Sequence, residues 1–318
     1  MYVDIINNMK NKLETPQVIW FNGKIVPWEN AVIHVWTELA TRGMNIFEGI
    51  RCYKQEDGSF ALVNLQEHME RMYNSLNVLR IKAPYAEEIL ISGINDLVNS
   101  IKEDTHLYLR PTIYVEKGRY GEEFGETING AYIVGFPVPR AKSVTEGISC
   151  CVSSWLRSPD LVMSPLIKCG AAYHGFRLPM IEALNNGYEE AILLNTENNV
   201  SEATGSTIFI KKKNKIITPP LSAGILDSIT RSNIINLLSE KFEIEVLERN
   251  ISRTELYLAE EIFLTGTLAE ITPVLNIDKI PINEGKIGEL TELIQDQYLG
   301  ICEGRHPDIL NCLTRIYM

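Results

Sequence analysis

The sequence lacks features of secreted, membrane-spanning and nucleic-acid-binding proteins. Its 318 residues contain no apolar run near the roughly 20 residues that a membrane helix needs. The first residues lack the basic-then-apolar layout of a secretory signal, so we expect a cytoplasmic protein with no membrane partner. Lysine and arginine total 30 against 41 acidic residues, a net charge of −11. Such an acidic surface repels phosphate backbones, which argues against a nucleic-acid partner.

Cysteine pairs that would suggest a disulfide framework or a redox site are also missing. None of the six cysteines forms a C-x-x-C pair, and the adjacent Cys150 and Cys151 are poorly placed to bridge each other. We therefore expect reduced thiols in a reducing compartment. The cysteines are Cys52, Cys150, Cys151, Cys169, Cys302 and Cys312.

Several catalytic motifs are absent as well. The five histidines are widely separated and show no H-E-x-x-H or Cys/His zinc spacing, so we expect no metal site. The patterns G-x-S-x-G, G-x-x-x-x-G-K-[ST] and G-x-G-x-x-G do not occur. Serine hydrolase, P-loop and Rossmann functions therefore lose their usual sequence support.

What is present indicates an α+β protein of about two domains. Apolar residues make up 45% and charged residues 22% of the chain, which is ordinary globular composition. Near the start, Asn22-Gly23 joins two β-rich runs and predicts a hairpin. Helical periods follow over 65–80 and 86–101, and Asn64 with Glu67 predicts a capping box for the first of these helices. Two β-rich runs, LYLRPTIYV and GAYIVGFPV, complete this half.

The second half repeats neither this order nor a strict βαβ alternation. Helices are predicted over about 173–186, 228–241 and 287–300, with strands between them. The segment PVPRAKSVT has two prolines and no periodicity, which is typical of a linker. We therefore predict an N-terminal α/β domain over 1–137, a linker over 138–145 and a C-terminal domain over 146–318.

Two ionisable residues stand in unusual surroundings. Lys168 lies in LVMSPLIKCGAAY, a stretch of apolar and small residues where an unpaired ammonium would be costly to bury. Such a lysine either reaches solvent or becomes a nucleophile able to form an imine with an aldehyde cofactor. Glu202, in NNVSEATGSTIFI, is either an exposed turn residue or a carboxylate that pairs with a protonated ring nitrogen.

Two further segments favour close approach of a ligand to the main chain. In ILDSITRSNII, Asp227 and Ser228 stand at a helix start, which is either an ordinary N-cap or a phosphate site made by helix amides. In FLTGTLAEITP, Gly266 interrupts a strand, as a bulge or as a point of close backbone approach. A lysine, a carboxylate and a phosphate cup are the parts that pyridoxal phosphate requires of its protein.

The order of motifs resembles that of the branched-chain amino acid aminotransferase family, which comprises fold type IV pyridoxal-phosphate enzymes. The motifs are WFNGKIVPW, FEGIRCY, YLRP, SSW, IKCGAAY, SEATGSTIF, ITR and TGTLAEITPV, spread over residues 17 to 305. This resemblance implies two domains: a small N-terminal α/β sandwich and a larger C-terminal domain with a mixed, barrel-like sheet that carries the cofactor lysine.

The resemblance also implies roles for residues that match the family's motifs. Lys168 is the implied catalytic lysine, which forms an aldimine with pyridoxal 5'-phosphate. Tyr173 matches the tyrosine on the phenolic oxygen of the cofactor, and Glu202 matches the glutamate on its ring nitrogen. The implied phosphate-binding residues are Arg51, Ser228, Ile229, Thr230 and Thr267.

The implied substrate-binding residues include one departure from the family pattern. Where the family has a tyrosine before FEG, this chain has Arg42 in TRGMNIFEG. A second guanidinium beside Arg110 would favour an anionic or strongly polar substrate group. The expected substrate-binding residues are Arg42, Phe47, Tyr108, Arg110, Thr267 and Leu268.

The function implied is transfer of an amino group between an L-amino acid and a 2-oxo acid by a ping-pong mechanism. Three alternatives remain at this point. The first is a transaminase of a specialised pathway that takes a polar or anionic substrate. The second is a pyridoxal-phosphate lyase similar to aminodeoxychorismate lyases, and the third is a binding paralogue without cofactor. The presence of Lys168 and Glu202 counts against the last, which would need neither. The family also implies at least a homodimer.

Overall fold

The structure is a computed structural model that describes residues 16–118 and 127–316. The expectation of no secretory signal rests on the N-terminal segment, which lies outside the described residues. The described strands are β1 Val18–Phe21, β2 Lys24–Pro27, β3 Asn45–Phe47, β4 Ile50–Lys54, β5 Phe60–Val63, β6 Leu107–Lys117, β7 Ile128–Pro137, β8 Ile148–Leu156, β9 Glu190–Leu194, β10 Val200–Ala203, β11 Thr207–Lys212, β12 Lys215–Thr218, β13 Val246–Glu248, β14 Glu261–Gly266, β15 Glu270–Ile277, β16 Ile280–Pro281 and β17 Leu313–Ile316.

Helices alternate irregularly with these strands. They are α1 Glu38–Arg42, α2 Leu65–Val78, α3 Glu87–Ser100, α4 Lys142–Glu146, α5 His174–Asn185, α6 Ile229–Phe242, α7 Arg253–Leu256 and α8 Glu289–Cys302. The α+β class predicted from the sequence is confirmed. Within the described part of the chain, no helix is long and apolar enough to cross a membrane.

The described residues group into two compact units. The lysine unit, named for Lys168, comprises residues 16–139, 167–173 and 312–316. The glutamate unit, named for Glu202, comprises residues 140–166 and 174–311. This grouping differs from the domain division predicted above in three places, the first being residues 312–316, which group with the N-terminal residues. Helix α4 occupies much of the predicted linker, and the segment with Lys168 groups with the N-terminal residues.

The lysine unit is built on one antiparallel sheet with the strand order β17-β5-β4-β6-β7-β1-β2, and β3 pairs with β6. The predicted Asn22-Gly23 hairpin is confirmed. Both turn residues have positive φ, 45° and 96°, as a tight hairpin turn requires. Helix α3 packs on β1 and β7, and buries Leu90, Ile94 and Leu97.

The capping box predicted at Asn64 is wrong. Its side chain makes no cap hydrogen bond, and its backbone is left-handed with φ 53°. The Asn64 amide instead donates to the carbonyl of Cys312 at 2.7 Å, next to the point where β17 joins the sheet. A partner distant in the sequence therefore overrides the local capping pattern.

The glutamate unit is built on a mixed sheet with the order β10-β9-β8-β15-β14-β11-β12-β13, and β16 pairs with β15. Strand β8 runs parallel to both β9 and β15, while β11, β14 and β15 form an antiparallel group. Its core includes Ile192, Ile208, Ile262 and Leu264, all nearly inaccessible to solvent. Helices α6 and α8 pack on β14, and α5 packs on β8 and β9.

Candidate active site

The main chain of Lys168 is fixed on two sides in the lysine unit. Its carbonyl accepts a hydrogen bond from the Phe47 amide at 3.2 Å, and its amide donates to Ser75 Oγ at 3.4 Å. The next residue, Cys169, forms an isolated β-bridge with Ile46. These contacts attach the lysine segment to β3, which explains why it groups with the N-terminal residues.

Gly170 permits this close attachment. Its amide donates to the Asn45 carbonyl at 3.1 Å. A Cβ atom at position 170 would lie 2.5 Å from the Asn45 side-chain nitrogen, closer than real Cβ contacts allow. Any larger residue at position 170 would therefore have to displace the Asn45 side chain. The chain then turns through a short 3₁₀ segment, Ala171–Tyr173.

The Lys168 side chain lies among aromatic rings. Its Nζ donates to the Tyr173 hydroxyl at 3.0 Å, and lies 5.2 Å from the centroid of the Phe47 ring. The Phe47 and Tyr173 rings are 5.1 Å apart, with Phe47 buried and Tyr173 41% exposed. Lys168 itself is partly exposed. The structure shows a partly exposed amine that is positioned by one hydroxyl and two rings, and the nucleophilic role of Lys168 stays a prediction.

Arg110 and Tyr108 lie on the same strand, two residues apart, so their side chains share a face of β6. The Arg110 guanidinium stacks 3.7 Å from the centroid of the Phe47 ring. Tyr108 is buried, and burial raises the pKa of its hydroxyl well above the usual value. A Cβ atom at Gly49 would lie 2.4 Å from the Tyr108 hydroxyl, so that position also needs glycine.

Arg51 and Arg42, the other two predicted arginines of this unit, differ in environment. Arg51 is buried on β4, and its Nη1 donates to the Val138 carbonyl at 2.8 Å. Arg42 ends α1 and is 39% exposed, and its Nη1 lies 2.8 Å from Glu38 Oε2. The carboxylate of Glu38 offsets the charge of Arg42.

A buried ionic network beside Phe47 was missed in the sequence. Glu48 accepts hydrogen bonds from Arg71 Nε and His68 Nδ1, both at 2.7 Å. Burial would raise the pKa of Glu48, but the Arg71 charge and these hydrogen bonds hold it well below the usual range. Burial lowers the pKa of His68, which favours the neutral imidazole beside the Glu48 carboxylate. The sequence feature that could have indicated this network is Glu48, the acidic residue of FEGIR, which stands between Phe47 and Gly49.

In the glutamate unit, Glu202 is buried on β10 and is not an exposed turn residue. Its Oε1 accepts a hydrogen bond from Arg157 Nε at 2.7 Å, and its Oε2 accepts one from the Leu226 amide at 3.1 Å. The Arg157 and Glu202 side chains are both about 5% exposed. Arg157, two residues after the SSW motif, was also missed. The only sequence signal was a single charge at the end of an apolar strand.

The predicted phosphate-binding segment is the start of α6. Ser228 is the N-cap residue, and its Oγ accepts a hydrogen bond from the Arg231 amide at 3.3 Å. Ile229 and Thr230 are the first two residues of this 14-residue helix. Their amides have no carbonyl acceptor within the helix, because the first turn precedes the α-helical hydrogen-bond pattern. The N-cap interpretation of this segment is confirmed, and the phosphate site made by these amides stays a prediction.

Thr267 and Leu268 lie in the tight turn that joins β14 to β15, and this turn has no bulge register. Gly266 permits close approach, since a Cβ there would lie 3.3 Å from the Gly205 carbonyl. After the turn, Glu270 has a positive φ of 47°, and its carboxylate accepts a hydrogen bond from Arg140 Nε at 2.9 Å. The turn that presents Thr267 is thus anchored by an ion pair between the buried Glu270 and the partly exposed Arg140.

A family model described as "Amino-transferase class IV" matches residues 45–277 of this chain. The chain therefore belongs to the class IV aminotransferase family, and the family prediction made from its motifs is confirmed. A "Probable branched-chain-amino-acid aminotransferase" of Aquifex aeolicus is 37% identical over 301 residues, which cover 94% of this chain and 96% of the relative.

Solved structures agree with this assignment. The branched-chain amino acid aminotransferase from Thermobaculum terrenum, in its PLP-form, has a TM-score of 0.88 and 35% identity, covering 96% of this chain and 100% of that one. The branched-chain aminotransferase from Thermoproteus uzoniensis, solved with norvaline, has a TM-score of 0.88 at 33% identity, covering 95% of this chain and 99% of that one. The two-domain aminotransferase fold predicted from the motifs is therefore confirmed, and the predicted cofactor agrees with the PLP-form of the Thermobaculum relative.

Proposed function

We propose that this chain is a pyridoxal-phosphate-dependent aminotransferase that transfers the amino group of a branched-chain L-amino acid to a 2-oxo acid in a ping-pong reaction. The observation that carries the proposal is the Lys168 amine, held 3.0 Å from the Tyr173 hydroxyl beside the buried Phe47 ring. A reactive lysine with an adjacent hydroxyl is the arrangement that imine chemistry requires. Relatives named as branched-chain aminotransferases support the substrate class.

The residues present fit the chemistry of the cofactor. Arg51 and the amides at the start of α6 are suitable phosphate donors. Ser206 Oγ, just before β11, is buried without a hydrogen-bond partner among the described residues, as a hydroxyl awaiting an acceptor would be. Glu202 supplies a carboxylate for a ring nitrogen, and Lys168 supplies the amine.

The proposed roles follow from these groups. When bound, pyridoxal phosphate supplies a protonated ring that withdraws electrons from the α-carbon of the substrate. Lys168 acts as the base that removes the proton from the α-carbon of the substrate and delivers it to C4′ of the cofactor. Tyr173 orients the amine through its hydroxyl, and Glu202 holds the proton on the ring nitrogen. Ser228, Ile229, Thr230 and Thr267 bind the phosphate.

The remaining predicted residues are proposed to select the substrate. Phe47 and Leu268 supply apolar surface, while Arg110 and Tyr108 supply polar groups for the carboxylate of an amino acid. Arg42 was expected to favour an anionic side chain. Because Glu38 offsets its charge at 2.8 Å, we propose instead that Arg42 leaves the preference for aliphatic side chains in place.

We also propose that the chain assembles as a homodimer. Val32, Val35 and Trp36 are 76 to 79% exposed and close together in the sequence, which is unusual for large apolar side chains on a monomer. Light scattering after gel filtration should give twice the chain mass, and a monomer would contradict the proposal. The expected cytoplasmic location stays a prediction.

A donor screen tests the proposed function. Purified protein should take up added pyridoxal phosphate and become yellow, and leucine, isoleucine and valine should each convert the bound cofactor to pyridoxamine phosphate. Protein that takes up no cofactor would contradict the enzyme class. Faster conversion by anionic donors would contradict the branched-chain assignment, and product formed in large excess over the bound cofactor without a 2-oxo acid acceptor would indicate a lyase.

The variant Arg42→Tyr separates the two substrate hypotheses within this screen. We expect its ranking of donors to match that of the unchanged protein, because the Arg42 charge is already offset by Glu38. A shift of preference from anionic toward aliphatic donors in the variant would show that Arg42 selects the substrate. Glu38→Gln, which frees the Arg42 charge, should improve anionic donors if the guanidinium reaches them.

A further inference from the structure

We propose that Arg157 is a positioning residue that keeps the Glu202 carboxylate ionised and oriented, and thereby keeps the proton on the cofactor's ring nitrogen. This inference rests on the proposed function, in which Glu202 pairs with that nitrogen. It assigns a role to a residue outside the motifs that identified the family.

The charge state of Glu202 follows from its contact with Arg157. The two side chains are about 5% exposed, and Arg157 Nε donates to Glu202 Oε1 at 2.7 Å. An arginine does not lose its proton in a protein, so the cation is permanent. A carboxylate beside a permanent buried cation stays ionised, because a protonated Glu202 would leave that cation uncompensated.

Arg157 is itself held in place. It follows the last residue of β8, and its amide donates to the Leu194 carbonyl of β9 at 2.8 Å. The guanidinium carbon lies 4.8 Å from the centroid of the Phe176 ring on α5. The cation is therefore fixed by main chain at one end and by an aromatic face at the other.

A second donor fixes the other carboxylate oxygen. The Leu226 amide donates to Glu202 Oε2 at 3.1 Å, from the loop that leads into α6. Two donors on different oxygens define the plane of the carboxylate. Each carboxylate oxygen can accept more than one hydrogen bond, so these two donors are compatible with a further N–H donor.

The position of Arg157 decides where a shared proton resides. A ring nitrogen hydrogen-bonded to Glu202 can hold the proton, or the proton can move to the carboxylate. Arg157 touches Glu202 directly, so its charge stabilises the ionised carboxylate more than it repels a protonated ring farther away. Removing the Arg157 charge should therefore move the proton from the ring nitrogen toward Glu202.

The test uses full-length protein reconstituted with pyridoxal phosphate labelled with ¹⁵N in the ring. We expect the ¹⁵N chemical shift of a protonated ring nitrogen in the unchanged protein and in Arg157→Lys, which keeps a cation. In Arg157→Gln the shift should move toward the unprotonated value, and kcat should fall roughly tenfold to a hundredfold with little change in KM. A structural role alone would not move the ring shift.

Matched variants keep the test decisive. Arg249→Gln removes the exposed arginine of the Arg249–Glu255 pair in the same unit and should leave the ring shift unchanged. Should Arg157→Gln fail to fold, Arg157→Met keeps an apolar stem beside Phe176 and is expected to give the same shift. Failure of the unchanged protein to bind the label would contradict the proposed function. A protonated ring in the folded glutamine or methionine variant would overturn the role of Arg157 alone.

Discussion

The lysine unit and the glutamate unit hold their ionisable site residues in different ways. Lys168 has a fixed main chain but a partly exposed side chain, whose Nζ contacts one hydroxyl and two ring faces. Glu202 is buried, with a donor on each carboxylate oxygen. The amine is held through an exposed hydrogen bond, whereas the buried carboxylate is held at both of its oxygens.

This difference matches the two proposed roles. A base that removes a proton and returns it to another atom needs freedom at its end, which Lys168 has. A carboxylate that holds a proton on one ring nitrogen needs a fixed orientation, which Arg157 and the Leu226 amide give Glu202. The Glu202 carboxylate, whose proposed role needs a fixed orientation, is therefore the group that buried hydrogen bonds hold in place.

The largest expected effect is on activity in the lysine unit. Lys168→Ala should lower the rate of amino transfer by about a thousandfold or more, because it removes both the nucleophile and the base. Its thermal unfolding should change little, since the side chain is partly exposed and its hydrogen bond to the Tyr173 hydroxyl is at the surface. Steady-state kinetics and calorimetry on the same preparation check both parts. A large loss of stability would show that Lys168 is held as tightly as Glu202.

The glutamate unit should respond in stability as well as in activity. Glu202→Ala leaves Arg157 buried without its carboxylate, so the free energy of unfolding should fall by about 3–5 kcal/mol. Urea denaturation of the cofactor-free protein measures this directly. The double variant Arg157→Met/Glu202→Met is the control, because it removes both charges and should recover much of the loss. Equal stability of Glu202→Ala and the unchanged protein would contradict the claim that buried hydrogen bonds hold Glu202 in place.

A smaller effect is expected at Glu255, a partly exposed carboxylate of the same unit. Hydrogen bonds from Arg249 lower the pKa of Glu255 to about 2, assisted by Lys212. The ionised form therefore stabilises the fold fully above the ordinary value of 4.5, and this contribution is lost as the pH falls toward 2. At pH 7, Glu255→Gln should lower the free energy of unfolding by about 1 kcal/mol, since partly exposed charges are screened.

Measurement of unfolding between pH 7 and pH 2 checks this assignment. The difference between Glu255→Gln and the unchanged protein should shrink as the pH falls below 4.5. The matched control is Glu284→Gln, because Glu284 pairs with Lys286 at 3.1 Å on a highly accessible surface. A Glu255→Gln difference that stays constant down to pH 2 would contradict the role of the carboxylate charge.

Local patterns in the sequence predicted local structure well. Asn22-Gly23 sets its hairpin through backbone conformations that these residues adopt readily, and Ser228 caps α6 through a hydrogen bond three residues away. Asn64 shows the limit of such patterns. Its cap was predicted from four consecutive residues, but its amide bonds to Cys312 in a distant part of the chain.

The candidate site was predicted from the sequence only in part, for the same reason. Lys168, Tyr173 and Glu202 stand in motifs whose order resembles a known family. Arg157 and Glu48 were missed, because their importance comes from partners brought near by the fold and no spacing in the sequence records those pairs. The departure from the family pattern at Arg42 was visible in the sequence. That Glu38 offsets its charge was recognised only from the side-chain geometry of α1.

One measurement tests the central claim most directly. The protein should be incubated with pyridoxal phosphate, reduced with borohydride, digested and mapped by mass spectrometry. We predict a phosphopyridoxyl group on Lys168 in the peptide that contains IKCGAAY. Labelling of another lysine at equal or higher occupancy, or no stable label after reduction, would contradict the assignment of Lys168 as the catalytic residue.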